Sequence, residues 1–146
     1  MHYDALGGKS AWNPDKYINI WIGKLENLYG RSSIGGSVAL KAEDGIVLDP
    51  AVFNAMPNRN LSGRTLIHEM GHYLGLYHTF QGGCTNNNCL SDGDKVCDTP
   101  PDNSTSYPAC GATVNSCTTD ALSGFTTDQP DLFEAYMDYS TRACKS

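Results

Sequence analysis

Short apolar runs separated by turn residues make up the first third of the chain. Residues 17–22 are mostly β-branched or aromatic and contain neither Gly nor Pro, which predicts a strand buried on at least one face. Residues 38–40 predict a second short strand, and the apolar run at 46–48, ended by a turn at Asp49, predicts a third. The Gly- and Ser-rich residues 30–37 indicate a connecting segment. Several short strands therefore precede the first helix.

An amphipathic helix is predicted after these strands. Its apolar residues recur in the i, i+4, i+7, i+8 pattern of one helix face. They are Leu66, Met70, Tyr73 and Leu74. Asn60 or Ser62 is expected to cap the start of the helix. Gly75 is expected to end it, because glycine adopts the left-handed conformation of helix ends without steric cost.

The second half of the chain has a different composition. Residues 82–129 consist mainly of Gly, Asn, Asp, Ser, Thr, Pro and Cys, which predicts a long loop held by cross-links. All six cysteines lie between Cys84 and Cys144, and none forms a Cys-x-x-Cys pair. An even number of such cysteines favours disulfides and a secreted or periplasmic protein. Reduced thiols in a cytosolic protein are the alternative.

Composition and charge exclude several classes of protein. The 146 residues, of which 40% are hydrophobic and 18% charged, suit one globular domain. No apolar run approaches the roughly 18–20 residues of a membrane span. A net charge of −6, with the ten basic residues scattered along the chain, argues against a nucleic-acid partner. The oligomeric state is left open.

The segment HEMGHYLGLYH at 68–78 has the spacing of a zinc site. On a helix, His68 and His72 project from the same face one turn apart, so both imidazoles can bind one ion. Glu69 lies beside the first of them, where its carboxylate can deprotonate a water held by the ion and later protonate a leaving amine. The sequence therefore predicts a metal centre with an adjacent general base.

A third histidine completes this site if the chain turns after the helix. Gly75 permits the turn, after which His78 can return toward the ion. Three protein ligands leave a fourth position for water, as in catalytic rather than structural zinc sites. The alternative is an ordinary core helix that carries incidental histidines.

Acidic residues form a second candidate site. The chain contains 12 Asp and 4 Glu, and Asp is the shorter carboxylate that suits turns and calcium-binding loops. Asp92, Asp94 and Asp98, with Thr99 beside them, offer the hard oxygen ligands that Ca²⁺ prefers. A solvated acidic turn is the alternative.

Four segments together resemble one protease family. They are AWNPDKYINIWI at 11–22, HEMGHYLGLYHTFQGGC at 68–84, DGDKVCDTP at 92–100 and YMDYS at 136–140. The extended histidine motif with a downstream methionine is the metzincin signature. The whole set is similar to the pappalysin/cytophagalysin family of metzincin zinc metallopeptidases, of the ulilysin-like type. The likeness runs from about Gly7 to Cys144.

The resemblance implies a mixed α/β (α+β) fold of the metzincin type, with one catalytic domain over residues 1–146. In such a fold, residues 1–77 supply a twisted mixed sheet and the active-site helix. Residues 78–146 form a loop-rich, disulfide-stapled part with the third zinc ligand and the Met-turn. Catalytic domains of this family have more chain before the zinc helix and after the last cysteine, so the resemblance favours a truncated domain.

The resemblance also implies roles for individual residues. The three histidines bind Zn²⁺, and Glu69 is the general base and acid. Met137 is the Met-turn residue, an apolar floor under the metal, with an ordinary core methionine as the alternative. Tyr139 matches the family's tyrosine near the metal, whose phenol helps to hold the developing oxyanion. A packed aromatic residue is the alternative for Tyr139.

Calcium and a disulfide pattern are implied in the same way. The resemblance places Ca²⁺ in the Asp loop, chiefly at Asp94 and Thr99. Six cysteines allow 15 pairings, so spacing alone leaves the connectivity open. The resemblance implies that the two disulfides of the family correspond to Cys84 with Cys117 and Cys110 with Cys144. The remaining two cysteines, Cys89 and Cys97, would then form an added local pair.

The motif and the resemblance together predict a secreted zinc endopeptidase that acts on a protein or peptide substrate. An extended peptide is expected to add to the sheet edge beside the strand Ile46–Leu48. A non-enzymatic adhesion or binding module, stabilised by metals and disulfides, is the alternative from a different class. A hydrolase of non-peptide amides would share the same site and differ only in its substrate.

Overall fold

The computed structural model describes residues 3–4, 7–35, 41–53, 63–103 and 108–140. The chain divides into two compact units, Met1–Gly75 and Leu76–Ser146. All strands and the α-helix of the described residues lie in the first unit. No helix in these ranges is long and apolar enough to cross a bilayer. The expectation of a single catalytic domain stays a prediction.

The first unit combines short strands with one α-helix. In chain order these elements are β1 (Ile20–Ile22), β2 (Gly30–Ser32), β3 (Ile46–Leu48) and α1 (Arg64–Tyr73). Single turns of 3₁₀-helix, Lys41–Glu43 and Pro50–Val52, flank β3. The combination of a mixed sheet and a helix with long loops confirms the predicted α/β class.

β3 is the middle strand of a mixed sheet ordered β1-β3-β2. β1 runs parallel to β3, with Trp21 opposite Val47, and β2 runs antiparallel to β3, with Arg31 opposite the same valine. Both edges of β3 are therefore paired, so the prediction that a peptide adds beside Ile46–Leu48 is wrong. Among the described strands, the outer edges belong to β1 and β2.

Two strands differ from the sequence prediction. β1 occupies only the second half of the predicted run at 17–22. β2 lies in the Gly- and Ser-rich segment that indicated a connection. Gly and Ser are poor strand formers, so β2 forms because β3 offers it backbone partners. The predicted strand at 38–40 lies outside the described residues.

The apolar core of the first unit lies between β3 and α1. Ile46 and Leu48 are almost completely buried, and burying such a side chain stabilises a fold by about 1.5–3 kcal/mol. Three of the four predicted apolar helix positions pack against them: Leu66, Met70 and Tyr73. The fourth, Leu74, is exposed because the helix ends one residue before it.

Glycines stand at both ends of α1. The N-cap is Gly63, which has a φ of 75° and makes no side-chain cap hydrogen bond. The expectation that Asn60 or Ser62 occupies the N-cap position is therefore wrong. Both residues lie outside the described ranges. Gly75 has a φ of 101°, a conformation that favours glycine. This confirms the predicted stop.

Cross-links organise the second unit in place of regular structure. Apart from the 3₁₀ turn Asp120–Ser123, its described residues contain no helix or strand, as the composition predicted. Two of the three implied disulfides are present, Cys84–Cys117 and Cys89–Cys97. Cys110 is also disulfide-bonded, and its implied partner, Cys144, lies outside the described residues.

Candidate metal centre

α1 presents two histidines on one face. The rings of His68 and His72 have centroids 4.7 Å apart and planes at 86° to each other. This arrangement follows from the spacing of four residues, which brings side chains to the same side of a helix one turn apart. His68 is partly exposed, so an ion can reach this face from solvent.

The turn after α1 brings in the third histidine. The amide of Gly75 donates a hydrogen bond to the carbonyl of His72 at 2.9 Å, which closes the last helical turn. The candidate ligand atoms of His68, His72 and His78 all lie within 4.8 Å of one another. Nitrogen ligands at about 2.0–2.1 Å from a tetrahedral zinc ion are about 3.4 Å apart. The three histidines are therefore a group that could hold one metal ion.

Glu69 is buried beside the two helical histidines, with only 7% of its surface exposed. Its side chain packs on the backbone of β2 at Gly30. A Cβ placed on Gly30 would lie only 2.6 Å from Oε1 of Glu69. Glutamates are almost never fully buried unless they are paired. The helix thus holds a buried carboxylate next to the face that carries His68 and His72.

Two aromatic rings enclose His78. Phe80 stacks on the imidazole with centroids 4.8 Å apart and planes at 10°, and Tyr139 meets it edge-on at 4.6 Å. Phe80 and Tyr139 also contact each other, with centroids 4.9 Å apart. Tyr139 was expected near the metal, whereas Phe80 was missed. No sequence pattern distinguishes an aromatic residue two positions after His78 from an ordinary core residue.

Met137 lies in a buried turn of the second unit. Its carbonyl accepts a hydrogen bond from the amide of Thr79 at 3.3 Å, so the residue after His78 is bonded to this turn. A buried methionine is expected both of a Met-turn and of an ordinary core position. The Met-turn role of Met137 therefore stays a prediction.

The structure brings together part of the predicted calcium set. Asp92, Asp94 and Thr99 line one pocket, which the Cys89–Cys97 disulfide also borders through Cys89. Asp98 is exposed and does not belong to this lining. Within the described ranges, the three histidines are close enough together that they could hold one metal ion, whereas the three aspartates do not form such a group.

Hydrogen bonds order the Asp loop. Oδ2 of Asp92 accepts hydrogen bonds from the amides of Asn87 and Asn88 at 3.0 and 3.1 Å. Asp94 accepts one from a backbone amide two residues further on, at 2.9 Å. Burial raises the pKa of Asp94, while this amide and the Thr99 side chain act in the opposite direction. The loop is therefore an ordered, oxygen-lined pocket.

Comparison with known proteins identifies relatives of this chain. An extracellular metalloprotease of Neurospora crassa is 38% identical over 138 residues, and one of Sordaria macrospora is 37% identical over 135 residues. Each match covers 88% of this chain and 43% of the relative. The chain thus spans less than half the length of these curated relatives.

Solved structures with the same fold include mirolysin in complex with compound 9, at a TM-score of 0.69 and 29% identity. This match covers 98% of our chain and 52% of the mirolysin chain. Mature mirolysin of Tannerella forsythia in complex with a cleaved peptide matches at a TM-score of 0.69 and 28% identity, over 99% of our chain and 52% of that chain. The model of peptidase family M43, described as pregnancy-associated plasma protein-A, matches residues 3–145. The protein therefore belongs to the M43, or pappalysin, family of metzincin metallopeptidases.

Proposed function

We propose that this chain carries the catalytic centre of a secreted zinc endopeptidase. The observation that carries the proposal is the cluster of three histidines. The buried carboxylate of Glu69 lies on the helix that carries the first two of them. The family and the names of its extracellular relatives support peptidase activity and secretion. The disulfides support an oxidising compartment.

The donor set fits zinc. His68, His72 and His78 would hold the ion through three imidazole nitrogens, which leaves one position for water or substrate. When bound, Zn²⁺ polarises the scissile carbonyl and lowers the pKa of water. The histidines must be neutral to bind the ion, so the site is expected to lose zinc in acid.

Glu69 moves the proton in the proposed reaction. Its carboxylate accepts a proton from water as the water oxygen bonds to the carbonyl carbon of the peptide. It then donates this proton to the nitrogen as the carbon–nitrogen bond breaks, so the leaving group departs as a neutral amine. Burial of Glu69 keeps bulk water from one side of the carboxylate and limits competing proton exchange.

Tyr139 stabilises the negative charge that grows on the carbonyl oxygen. Its ring contacts His78, so the proposed zinc ligand and the phenol lie next to each other. Tyr139 as a whole is 43% exposed, which does not suit a purely packed aromatic residue. A phenolic donor becomes a stronger partner as charge develops in the transition state.

The outer edge of β2 is the proposed binding edge for the peptide backbone. β2 is antiparallel to its neighbour and has one unpaired side among the described strands. Gly30 of this strand lies directly against the Glu69 side chain. A peptide paired with β2 would therefore pass beside the proposed general base, held by backbone hydrogen bonds with little demand on its sequence.

The test compares the full chain with Glu69→Gln, and with Glu134→Gln as a control at an exposed position. Each protein is incubated with a peptide library, cleavage sites are read by mass spectrometry, and zinc is measured by elemental analysis. We expect the parent and the control to cleave peptides and to stop when zinc is chelated. Glu69→Gln should retain zinc and lose activity by about 10²- to 10⁴-fold.

The alternatives give different results in the same assay. A Glu69→Gln protein that cleaves as fast as the parent would show that Glu69 is not the base. A folded, zinc-loaded parent that cleaves no peptide would favour the non-enzymatic binding module. Cleavage of small amides without cleavage of peptides would favour the non-peptide hydrolase. Tyr139→Phe should keep zinc and lose about 10²-fold in kcat if the phenol holds the oxyanion.

The Asp loop is proposed to bind Ca²⁺ through Asp94 and Thr99, with Asp92 as a further ligand. These oxygen-bearing side chains line one pocket, and the loop is cross-linked by Cys89–Cys97. Added Ca²⁺ should raise the Tm of the parent, and Asp94→Asn should abolish this shift without loss of zinc. Asp98→Asn is the matched control, because Asp98 lies outside the lining. If added Ca²⁺ does not change the Tm of the parent, the proposal is contradicted.

A further inference from the structure

We propose that Gly30 is a positioning residue for the general base. The absence of a side chain on β2 at this point lets the carboxylate of Glu69 lie against the strand backbone and fixes where that carboxylate sits. This inference rests on the proposed role of Glu69 as the proton acceptor and donor. It assigns a catalytic contribution to a residue that carries no functional group.

The contact involves one whole side chain rather than a single flexible atom. A Cβ on Gly30 would lie 2.6 Å from Oε1, 2.7 Å from Cγ and 2.9 Å from Cδ of Glu69. Carbon atoms in van der Waals contact are about 3.5–4.0 Å apart, so an added methyl group cannot coexist with Glu69 in its present position. Any side chain at position 30 must displace the Glu69 carboxylate, the strand or the helix.

The strand is the part least able to move. Gly30 pairs with Leu48 in the antiparallel register, and Leu48 is among the most buried side chains of the core. Immediately before it, the carbonyl of Tyr29 accepts a hydrogen bond from the amide of Asp49 at 2.9 Å. Moving β2 outward would break these bonds and open the core.

The helix is held as well. The amide of Gly35, in the segment that leaves β2, donates a hydrogen bond to the carbonyl of His72 at 3.2 Å. α1 also packs on β3 through its apolar face. The side chain of Glu69 can therefore rotate more easily than the strand or the helix can move. A methyl group at position 30 would rotate the carboxylate away from its present place.

Backbone conformation does not explain the glycine at this position. Gly63 and Gly75 have positive φ values, but Gly30 does not. Alanine is therefore compatible with the Gly30 backbone, and within a strand it is expected to be neutral or stabilising apart from the collision. The contact with Glu69 is what excludes a side chain there, so the substitution separates positioning from folding.

The experiment measures kcat, KM, zinc content and Tm for the full chain and for Gly30→Ala. Ile22→Val is the matched control, because it also changes one methyl group on a strand of this sheet, but Ile22 is exposed and lies in β1, on the other side of β3. We expect Gly30→Ala to lower kcat by about 10- to 100-fold, the effect of misplacing a catalytic group by about an ångström. KM, zinc content and Tm should stay close to those of the parent, and Ile22→Val should resemble the parent throughout.

Shortening the acid provides a second measurement. In Glu69→Asp the side chain is shorter by one methylene group and ends further from position 30. A methyl group at position 30 therefore collides less with aspartate than with glutamate. The loss of kcat caused by Glu69→Asp should therefore be smaller in the Gly30→Ala background than in the parent, by about fivefold or more. Two independent effects would multiply instead, and such a result would overturn the inference.

The remaining outcomes separate this inference from the proposed function. If Glu69→Gln is inactive but Gly30→Ala has the parental kcat, only the role of Gly30 is wrong. If Glu69→Gln retains full activity, the proposed function itself fails, whatever the Gly30 variant does. A Gly30→Ala protein that has lost its zinc or melts far below the parent would also overturn the inference, because the glycine would then serve the sheet rather than the carboxylate.

Discussion

Thr79 donates a hydrogen bond from Oγ1 to Oδ2 of Asp138 at 2.9 Å, and both side chains are almost completely buried. Thr79 directly follows His78, and Asp138 directly follows Met137. The other carboxylate oxygen of Asp138 accepts a hydrogen bond from the amide of Ser140 at 2.6 Å. One buried carboxylate thus ties the residue after the third histidine to the turn around Met137.

Removing the hydroxyl of Thr79 should therefore weaken both the fold and the metal centre. Thr79→Val keeps the shape of the side chain but leaves the buried carboxyl group of Asp138 with one donor fewer, at a cost of about 1–3 kcal/mol. We expect a lower Tm and weaker zinc binding, measured by thermal unfolding and by competition with a chelator. Thr79→Ser retains the hydroxyl and should stay near the parent. Equal Tm values for the valine variant and the parent would contradict this explanation.

Phe80 should influence zinc affinity without binding the ion. Its ring stacks on His78, which restricts the rotation of the imidazole. Phe80→Leu removes the stacking surface, so we expect weaker zinc binding, by less than the roughly 10- to 100-fold that follows the loss of a hydrogen-bonded partner of a ligand. Phe80→Tyr preserves the ring and is the control. Zinc dissociation constants from chelator competition test the prediction, which fails if leucine and phenylalanine support the same affinity.

The sequence predicts the features of this protein that depend on local periodicity or local conformation. The four-residue spacing of His68 and His72 predicts the shared helix face, and Gly75 predicts the stop because its backbone must adopt a positive φ. The buried strand Ile46–Leu48 follows from an apolar run too short for a helix. Each of these signals lies within a few residues of the element that it predicts.

Features that depend on distant partners could not be predicted in this way. β2 consists of Gly, Arg and Ser and forms because β3 lies beside it. The same pairing makes β3 a central strand, which is why the expected peptide site beside it was wrong. The bond between Thr79 and Asp138 joins residues 59 positions apart. Neither residue belongs to a repeating pattern that would reveal this contact.

Asp49 should support folding in a pH-dependent manner. Hydrogen bonds from the amides of Leu25 and Ala51, aided by Lys24, lower the pKa of Asp49 to about 2. A carboxylate whose pKa is lower in the folded than in the unfolded chain stabilises the fold above its ordinary pKa near 4, and this contribution disappears as the pH falls toward 2. Asp49→Asn should therefore lower the Tm at neutral pH, and its difference from the parent should shrink in acid.

The control for this measurement is an exposed ion pair. Asp15 contacts Lys41 at 2.8 Å, but both side chains are mostly exposed, and such pairs contribute little. Asp15→Asn should match the parent at every pH at which both proteins are folded. If Asp15→Asn and Asp49→Asn had the same Tm profile, the buried hydrogen bonds of Asp49 would not be the source of the effect.

Asp120 should have the opposite effect on stability. The residue is buried, Oδ1 accepts a hydrogen bond from the amide of Gln129, and Oδ2 receives no donor within the described part of the chain. Burial raises the pKa of Asp120, and Asp128 beside it raises the pKa further. The folded chain therefore binds a proton at a pH at which the unfolded chain has lost it, so this site gains stability as the pH falls toward 4 and costs stability at neutral pH.

Asp120→Asn should consequently raise the Tm near neutral pH by a few degrees. The amide removes the buried charge, still accepts from Gln129, and can donate to the carboxylate of Asp128. Thermal unfolding of variant and parent across the range from neutral pH to about pH 4 tests this, because titrations common to both proteins cancel in the difference. The gain should be largest at neutral pH and vanish in acid. A variant less stable than the parent at neutral pH would show that the ionised carboxylate of Asp120 is needed to hold this turn.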